Sequence, residues 1–265
     1  NRNYKILLGY NFGTSKEIKK YKNSFFLNLG YLKYLFDLDI FISSYIVYTL
    51  PKAKNKIYIN HDIYDAPMVS RDKEINLTKS FFNYDHIFMS SNITSNMMKN
   101  KINQLYDKKN YKKKPNIINT GYLKLDHIYK KINNQIETED SILLAPTKSS
   151  VFLEYDMSLL LEDLIEKIIK NQNFNLIYRP HPGDLIDPIQ KKRLFELNNK
   201  FKTKKNYIFD INTSYLQSYK RAKIMITDFS GTAYTFAFCK LRPIIFFSKN
   251  EKMLINSDLS ELNYF

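Results

Sequence analysis

The chain has 265 residues, 44% of them hydrophobic, which is enough to bury a full core and favours two domains of roughly 130 residues each. A single cysteine, Cys239, excludes an intramolecular disulfide framework and points to a reducing compartment. The 41 Lys and Arg against 26 Asp and Glu give a net charge of +15, which suits an anionic partner such as a phosphorylated substrate or an anionic membrane surface.

In chain order, Tyr4 to Gly9 predicts a first strand. It is followed by a basic polar stretch and an apolar segment at helical spacing, Phe25 to Phe36. Asp39 to Tyr48 and Lys56 to Asn60 predict two further strands, the second ending in the polar run HDIYDAP, His61 to Pro67. A strand over His86 to Ser90, a helix over Ile93 to Tyr106, the lysine-rich loop Asp107 to Lys114 and a strand over Asn116 to Asn119 continue the alternation. Alternating strands and helices imply a mainly parallel sheet. The polar stretch Lys131 to Asp140 is the best linker, so the expected domains are 1–136 and 137–265.

The alternation then restarts with a strand over Ser141 to Ala145, a loop over Pro146 to Ser150 and a helix over Glu154 to Asn171. Strand Asn175 to Tyr178 ends in Arg179, His181 and two prolines, which stop regular structure and turn polar side chains outward. A helix over Pro188 to Lys200, strand Tyr207 to Phe209 and a helix over Ser214 to Arg221 follow. Strand Lys223 to Thr227 leads into Asp228 and then Ser230, Gly231 and Thr232, which open a helix reaching about Cys239. Arg242 and Pro243 introduce the last apolar strand, Ile244 to Phe247.

Polar groups set just after buried strands mark the edge of an open α/β sheet where ligands bind. Arg179 and His181 are residue types that grip a phosphate oxygen and neutralise a leaving group. A helix start with small hydroxyl side chains beside it, Ser230 and Thr232 around Gly231, makes an anion site. A His-Pro pair alone is commonly a turn, and a Ser or Thr after Asp is commonly an N-cap. Their recurrence after successive strands favours the functional reading.

Two Rossmann-like halves joined by one linker are the layout of a GT-B glycosyltransferase, with the active site in the cleft between domains. The motif set resembles the CDP-glycerol glycerophosphotransferase family, the teichoic acid and capsule polymerases that move an alditol phosphate from CDP to a growing chain. Its second-domain motifs are matched here by Ala145-Pro146-Thr147, Arg179-Pro180-His181-Pro182, Thr227-Asp228-Phe229-Ser230-Gly231 and Arg242-Pro243-Ile244-Ile245-Phe246. In the first half, the family's HGTP-type loop is represented by His61 to Pro67, which keeps the His and loses the Gly and Thr. Its TGYPRxD motif reads Thr120 to Asp126 here.

The resemblance implies a CDP-activated donor held by Thr147, Arg179, His181, Asp228, Ser230, Gly231 and Thr232. It implies His61 as the base for the acceptor hydroxyl and His181 at the departing CMP, while Asp62 and Asp65 in the same loop as His61 are candidates to orient it or to serve as base themselves. The acceptor would be a hydroxyl of a glycan or lipid-linked polymer. Cytidine-using GT-B enzymes as a group share the HP motif, so a CMP-sugar donor stays open. An epimerase of nucleotide sugars would require additional acid/base carboxylates, which this sequence does not identify, and the distant alternative is a nucleic-acid-binding protein.

No His/Cys cluster or paired acids have ligand spacing, so neither a protein-bound metal nor a cofactor is expected. GxGxxG and GxxxxGK[ST] loops are missing as well. Nucleic acid is not an expected partner, because the aromatics fall inside apolar strand and helix patterns and the basic residues are spread along the chain. With no run of about 18 apolar residues, the expectation is a cytoplasmic protein, with contact at the inner face of the bacterial cell membrane through Lys108, Lys109, Lys112, Lys113 and Lys114.

Overall fold

In a computed structural model of the chain, the described residues are 6–10, 24–28, 37–44, 46–47, 50–60, 79–109, 111–133, 140–149, 160–228 and 230–247. They belong to two compact units, the first closing at Thr120 and the second beginning at Gly121.

The first unit contains strands β1 (Ile6–Tyr10), β2 (Ser24–Asn28), β3 (Leu38–Ser43), β4 (Ala53–Ile59) and β5 (His86–Met89), then helix α1 (Asn92–Lys109) and strand β6 (Asn116–Asn119). Strands β1 and β2 pair in parallel, and β3 to β6 form a parallel sheet in sequential order. The segment beginning at Phe25, expected to be helical, therefore starts as a strand. Consecutive apolar residues satisfy either periodicity when the run is short, and here parallel pairing with β1 decides the outcome. Tyr58, fully buried on β4, meets Phe81 and Tyr84 edge-on at ring centroid distances of 5.1 and 5.8 Å. At the end of β4 the buried Asn60 donates its N–H to the Phe88 carbonyl, which fixes the chain where it leaves the sheet.

The second unit begins with helix α2 (Leu123–Asn133) and continues through β7 (Ser141–Leu144), α3 (Leu161–Lys170) and β8 (Asn175–Tyr178). Next come the short α4 (Pro182–Ile186), α5 (Pro188–Phe201), β9 (Tyr207–Phe209) and α6 (Leu216–Arg221). Strand β10 (Ala222–Thr227), helix α7 (Thr232–Lys240) and strand β11 (Ile244–Phe246) complete it. The five strands lie in the order β11-β10-β7-β8-β9, all parallel.

Alternate residues of the central strands serve opposite faces of this sheet. Leu143, Ile177 and Met225 pack with Ile128 and Ile132 of α2, Tyr219 of α6, and Ala233, Phe236 and Cys239 of α7. Leu144, Leu176, Tyr178 and Ile226 pack with Leu161, Ile165 and Ile169 of α3 and Leu194 and Phe201 of α5. Strands covered on both faces must be apolar at nearly every position, which is why they read as continuous runs.

Helix α2 lies where the sequence reading assigns no element, and its amphipathic face, Leu125, Ile128 and Ile132, completes a helix layer of the second unit. The two compact units divide at Thr120/Gly121, and the linker is expected to end the first domain at residue 136. Burial decides the matter, because the apolar stripe of α2 is covered by α6 and α7 of the second unit.

Candidate active site

Strand order places the site. From β7 the chain winds outward through β8 to β9, and then crosses back to β10 on the other side of β7. The loops after β7 and β10 therefore flank the point where the winding direction reverses, and in open α/β sheets the crevice for ligands opens there.

Bonds across that point knit the two loops together. The Ala145 N–H donates to the Ile226 carbonyl at 3.0 Å. The Thr227 hydroxyl donates to the Ala145 carbonyl at 2.6 Å. Beyond the strands, the Thr147 N–H donates to Asp228 Oδ1 at 2.7 Å. Asp228 is only 1% exposed, and its carboxylate latches the β7 loop instead of capping a helix. Helix α7 takes Gly231 as its N-cap residue, without a side-chain cap.

A second buried carboxylate holds the same loop from the β8 side. Asp184 in α4 accepts from the Ser149 N–H at 3.2 Å and from the Ser149 hydroxyl at 3.0 Å. Sequence reasoning misses this residue. The only signal for it along the chain is its place just after the His-Pro pair.

His181 precedes α4, and its Nδ1 accepts from the Gly183 N–H at 2.9 Å. That bond requires an unprotonated Nδ1 and leaves the proton of the neutral ring on Nε2. The ring is thereby set as a one-directional donor. The Asp184 N–H donates to the His181 carbonyl at 3.0 Å, so the residue whose carboxylate holds the β7 loop also anchors the histidine turn.

Arg179, expected to grip a phosphate oxygen, follows β8 and is bonded within the second unit. Its guanidinium is 8% exposed and donates from Nη1 to Asp210 Oδ2 at 2.7 Å and from Nη2 to the Asn212 carbonyl at 2.8 Å. Asp210, 6% exposed, also accepts from the Ser218 hydroxyl and from the Asn212 N–H and side-chain amide. These bonds commit the guanidinium to joining the β8 and β9 loops. Burial pushes the Asp210 carboxyl up, but the bonds from Ser218, Asn212 and Arg179 outweigh it and hold the group below the usual carboxylate range.

At α7, the Tyr219 hydroxyl is bonded to the Thr232 hydroxyl and donates to the Thr232 carbonyl at 3.1 Å. Thr232 is thus tied to the core, while the N–H groups of Ser230, Gly231 and Thr232 precede the first intrahelical bonds of the helix. Cys239 faces the core on α7, where burial pushes its thiol up to about 11, in keeping with a packing role.

The described parts of the candidate site are thus Thr147, His181, Asp228 and the Ser230–Thr232 turn, with Asp228 bonded to the loop after β7 at Thr147 and Asp184 tying that loop, at Ser149, to the His181 turn. His61 and Asp62 lie outside the described residues. Among the described residues no group of three or more His, Cys, Asp or Glu is placed to hold a metal ion.

The minor teichoic acid biosynthesis protein GgaB of Bacillus subtilis (strain 168) is 30% identical over 164 residues, covering 52% of this chain and 16% of that protein. The chain thus spans a small part of that relative's length. A variant of the wall teichoic acid polymerase TagF superposes with a TM-score of 0.58 at 13% identity, over 98% of this chain and 66% of that one. A TagF variant soaked with CDPG gives a TM-score of 0.56 at 13% identity, over 92% and 62%. The shared fold is α/β with parallel sheets, of the GT-B type. The sequence profile described as CDP-Glycerol:Poly(glycerophosphate) glycerophosphotransferase matches residues 49–254, which span both units and every motif of the site. The chain belongs to the CDP-glycerol:poly(glycerophosphate) glycerophosphotransferase family.

Proposed function

We propose that the protein transfers an alditol phosphate, such as glycerol phosphate, from a CDP-activated donor to a hydroxyl of a teichoic acid or related cell-surface glycan, releasing CMP. The Thr147–Asp228 bond carries this reading, because it brings motif residues from the two loops flanking the switch point into one wall. Membership of the family supports the choice of donor.

In this reaction the acceptor hydroxyl oxygen attacks the phosphorus that bears the alditol. The bond from that phosphorus to the bridging oxygen breaks, and the electron pair stays on CMP. Charge grows on the bridging oxygen, so a donor fixed beside it lowers the barrier. His181 suits that task, since its Nδ1 is held by Gly183 and its Nε2 carries the proton. The N–H groups at the start of α7 receive the phosphate oxygens. Arg179 serves as a positioning residue that fixes the β8 and β9 loops behind His181. His61 takes the acceptor proton, with Asp62 orienting it.

No helix among the described residues is long and apolar enough to cross a membrane. Contact with an anionic membrane surface rests on the lysine-rich loop, where Lys112, Lys113 and Lys114 are exposed. Part of that charge is engaged internally, because Lys113 bonds Asp85 at 2.9 Å and Lys114 lies 4.5 Å from the Tyr106 ring centroid.

The test is calorimetric titration of the chain with CDP, CMP, UDP and GDP, followed by an assay of CMP release from CDP-glycerol with a poly(glycerol phosphate) acceptor. Preference for cytidine nucleotides and acceptor-dependent CMP release are expected. Preference for UDP would overturn the donor assignment.

A further inference from the structure

The pyrophosphate of a CDP-alditol carries two negative charges, yet the groups gathered at the site supply little positive charge to meet them. Arg179 is committed to Asp210 and to backbone carbonyls. His181 accepts from the Gly183 N–H at Nδ1, so its neutral ring would donate only from Nε2. Among the described residues of the loops that follow β7, β8, β9 and β10, one other cationic side chain occurs, Lys148.

The backbone of Lys148 is fixed on both sides. Its predecessor Thr147 is bonded to Asp228, and its successor Ser149 is bonded twice to Asp184. The side chain then runs over Gly183. A Cβ built on that glycine would lie 3.0 Å from Lys148 Cδ, 3.2 Å from Lys148 Cε and 3.0 Å from His181 Nδ1. The lysine stem and the imidazole thus flank one glycine whose missing side chain makes room for both. Among the described residues, no carboxylate or carbonyl holds the Lys148 ammonium.

We propose that Lys148 is the cation that binds the donor's pyrophosphate, delivered beside His181 by a loop clamped between two buried carboxylates. The assignment rests on the donor reading above and adds a residue to it. The ammonium pairs with oxygens of the pyrophosphate and shares the charge that builds on CMP as it departs. Gly183 is then part of the same device, since a side chain there would push the lysine stem off its path.

The test is calorimetric titration of the full chain with CDP, CMP and cytidine, in wild type, Lys148→Met and Lys148→Arg. Methionine keeps an unbranched stem over Gly183 and removes only the charge. The expected result is a loss of CDP affinity of about 10- to 100-fold in Lys148→Met, the usual effect of a charge-assisted bond. Cytidine affinity should stay within about twofold, and Lys148→Arg should recover most of the loss. The salt dependence of CDP binding should also flatten in Lys148→Met. Equal CDP affinity in wild type and Lys148→Met would overturn the lysine assignment and leave the donor reading standing. Equal losses for cytidine and CDP would overturn it too, by showing an effect on the shape of the site. A wild type that binds CDP no better than cytidine would remove both.

Discussion

Arg179 and Asp210 form a buried ion pair, with Nη1 2.7 Å from Oδ2, that ties the end of β8 to the loop after β9. An ion pair withdrawn from water stabilises only while both partners remain, since a lone buried charge is costly. Asp210→Ala should therefore lower unfolding free energy by about 3–5 kcal/mol. Arg179→Lys should be almost as damaging, because an ammonium cannot reproduce the fork that reaches Asp210 and the Asn212 carbonyl together. Urea unfolding followed by circular dichroism measures both. A change under about 1 kcal/mol in either variant would contradict a structural role.

The same carboxylate predicts a pH dependence. Its folded-state value lies below the ordinary 3.8, since the bonds it accepts outweigh the effect of burial. A depressed carboxylate contributes stability that is complete above its unfolded value and is lost as pH falls through its folded value. The stability gap between wild type and Asp210→Asn should be constant at neutral pH and shrink below about pH 4. A gap that persists unchanged into acid would show that the charge of Asp210 is not what stabilises.

Asp228 joins the two loops at the switch point through the Thr147 N–H. Asp228→Ala should cost about 1–3 kcal/mol in stability and weaken CDP binding, because the β7 loop loses its latch. Asp228→Asn keeps an acceptor at Oδ1 and should retain most of both. Thermal unfolding with and without CDP gives the two readouts together. If the alanine variant bound CDP as wild type does, the latch would have no part in the site.

His181 separates its two duties by atom. Asparagine can accept the Gly183 N–H through its side-chain oxygen but offers nothing at the position of Nε2. His181→Asn should thus keep wild-type stability and lose about a hundredfold in turnover. His181→Ala should lose both. Near-normal CMP release by His181→Asn would reduce the histidine to a cap for α4.

His61→Ala should abolish transfer and leave CDP affinity within about twofold, the pattern of an interaction made only in the transition state. Steady-state assay beside calorimetry decides it. Weakened CDP binding with turnover retained at saturation would move His61 to the donor and make Asp62 the better candidate for the base.

Much of the second unit is legible in the order of its residues. Strands β8 and β9 occupy the residues expected for them, Asn175–Tyr178 and Tyr207–Phe209, because strands buried on both faces demand unbroken apolar runs. The polar residues that follow β7, β8 and β10 are visible for the same reason, as the places where those runs stop. Their chemistry, and with it the family, follows from residue type and order alone.

Contacts between residues distant in sequence are not legible in this way. Arg179 reads as a phosphate ligand until Asp210, 31 positions later, takes its guanidinium. Asp228 reads as a donor-binding residue, and nothing beside it in the chain tells that the Thr147 N–H, 81 positions earlier, meets its carboxylate. Helix α2 goes unread until α6 and α7 cover its apolar stripe. Local pattern reports which residues must be buried or turned outward, since burial and periodicity act along the chain. The order of strands within a sheet decides which loops adjoin, and no local run of residues encodes that order. Hence the sequence alone determined most of the elements, the motifs and the class of chemistry, while only tertiary structure decided which distant residues the motif side chains are bonded to.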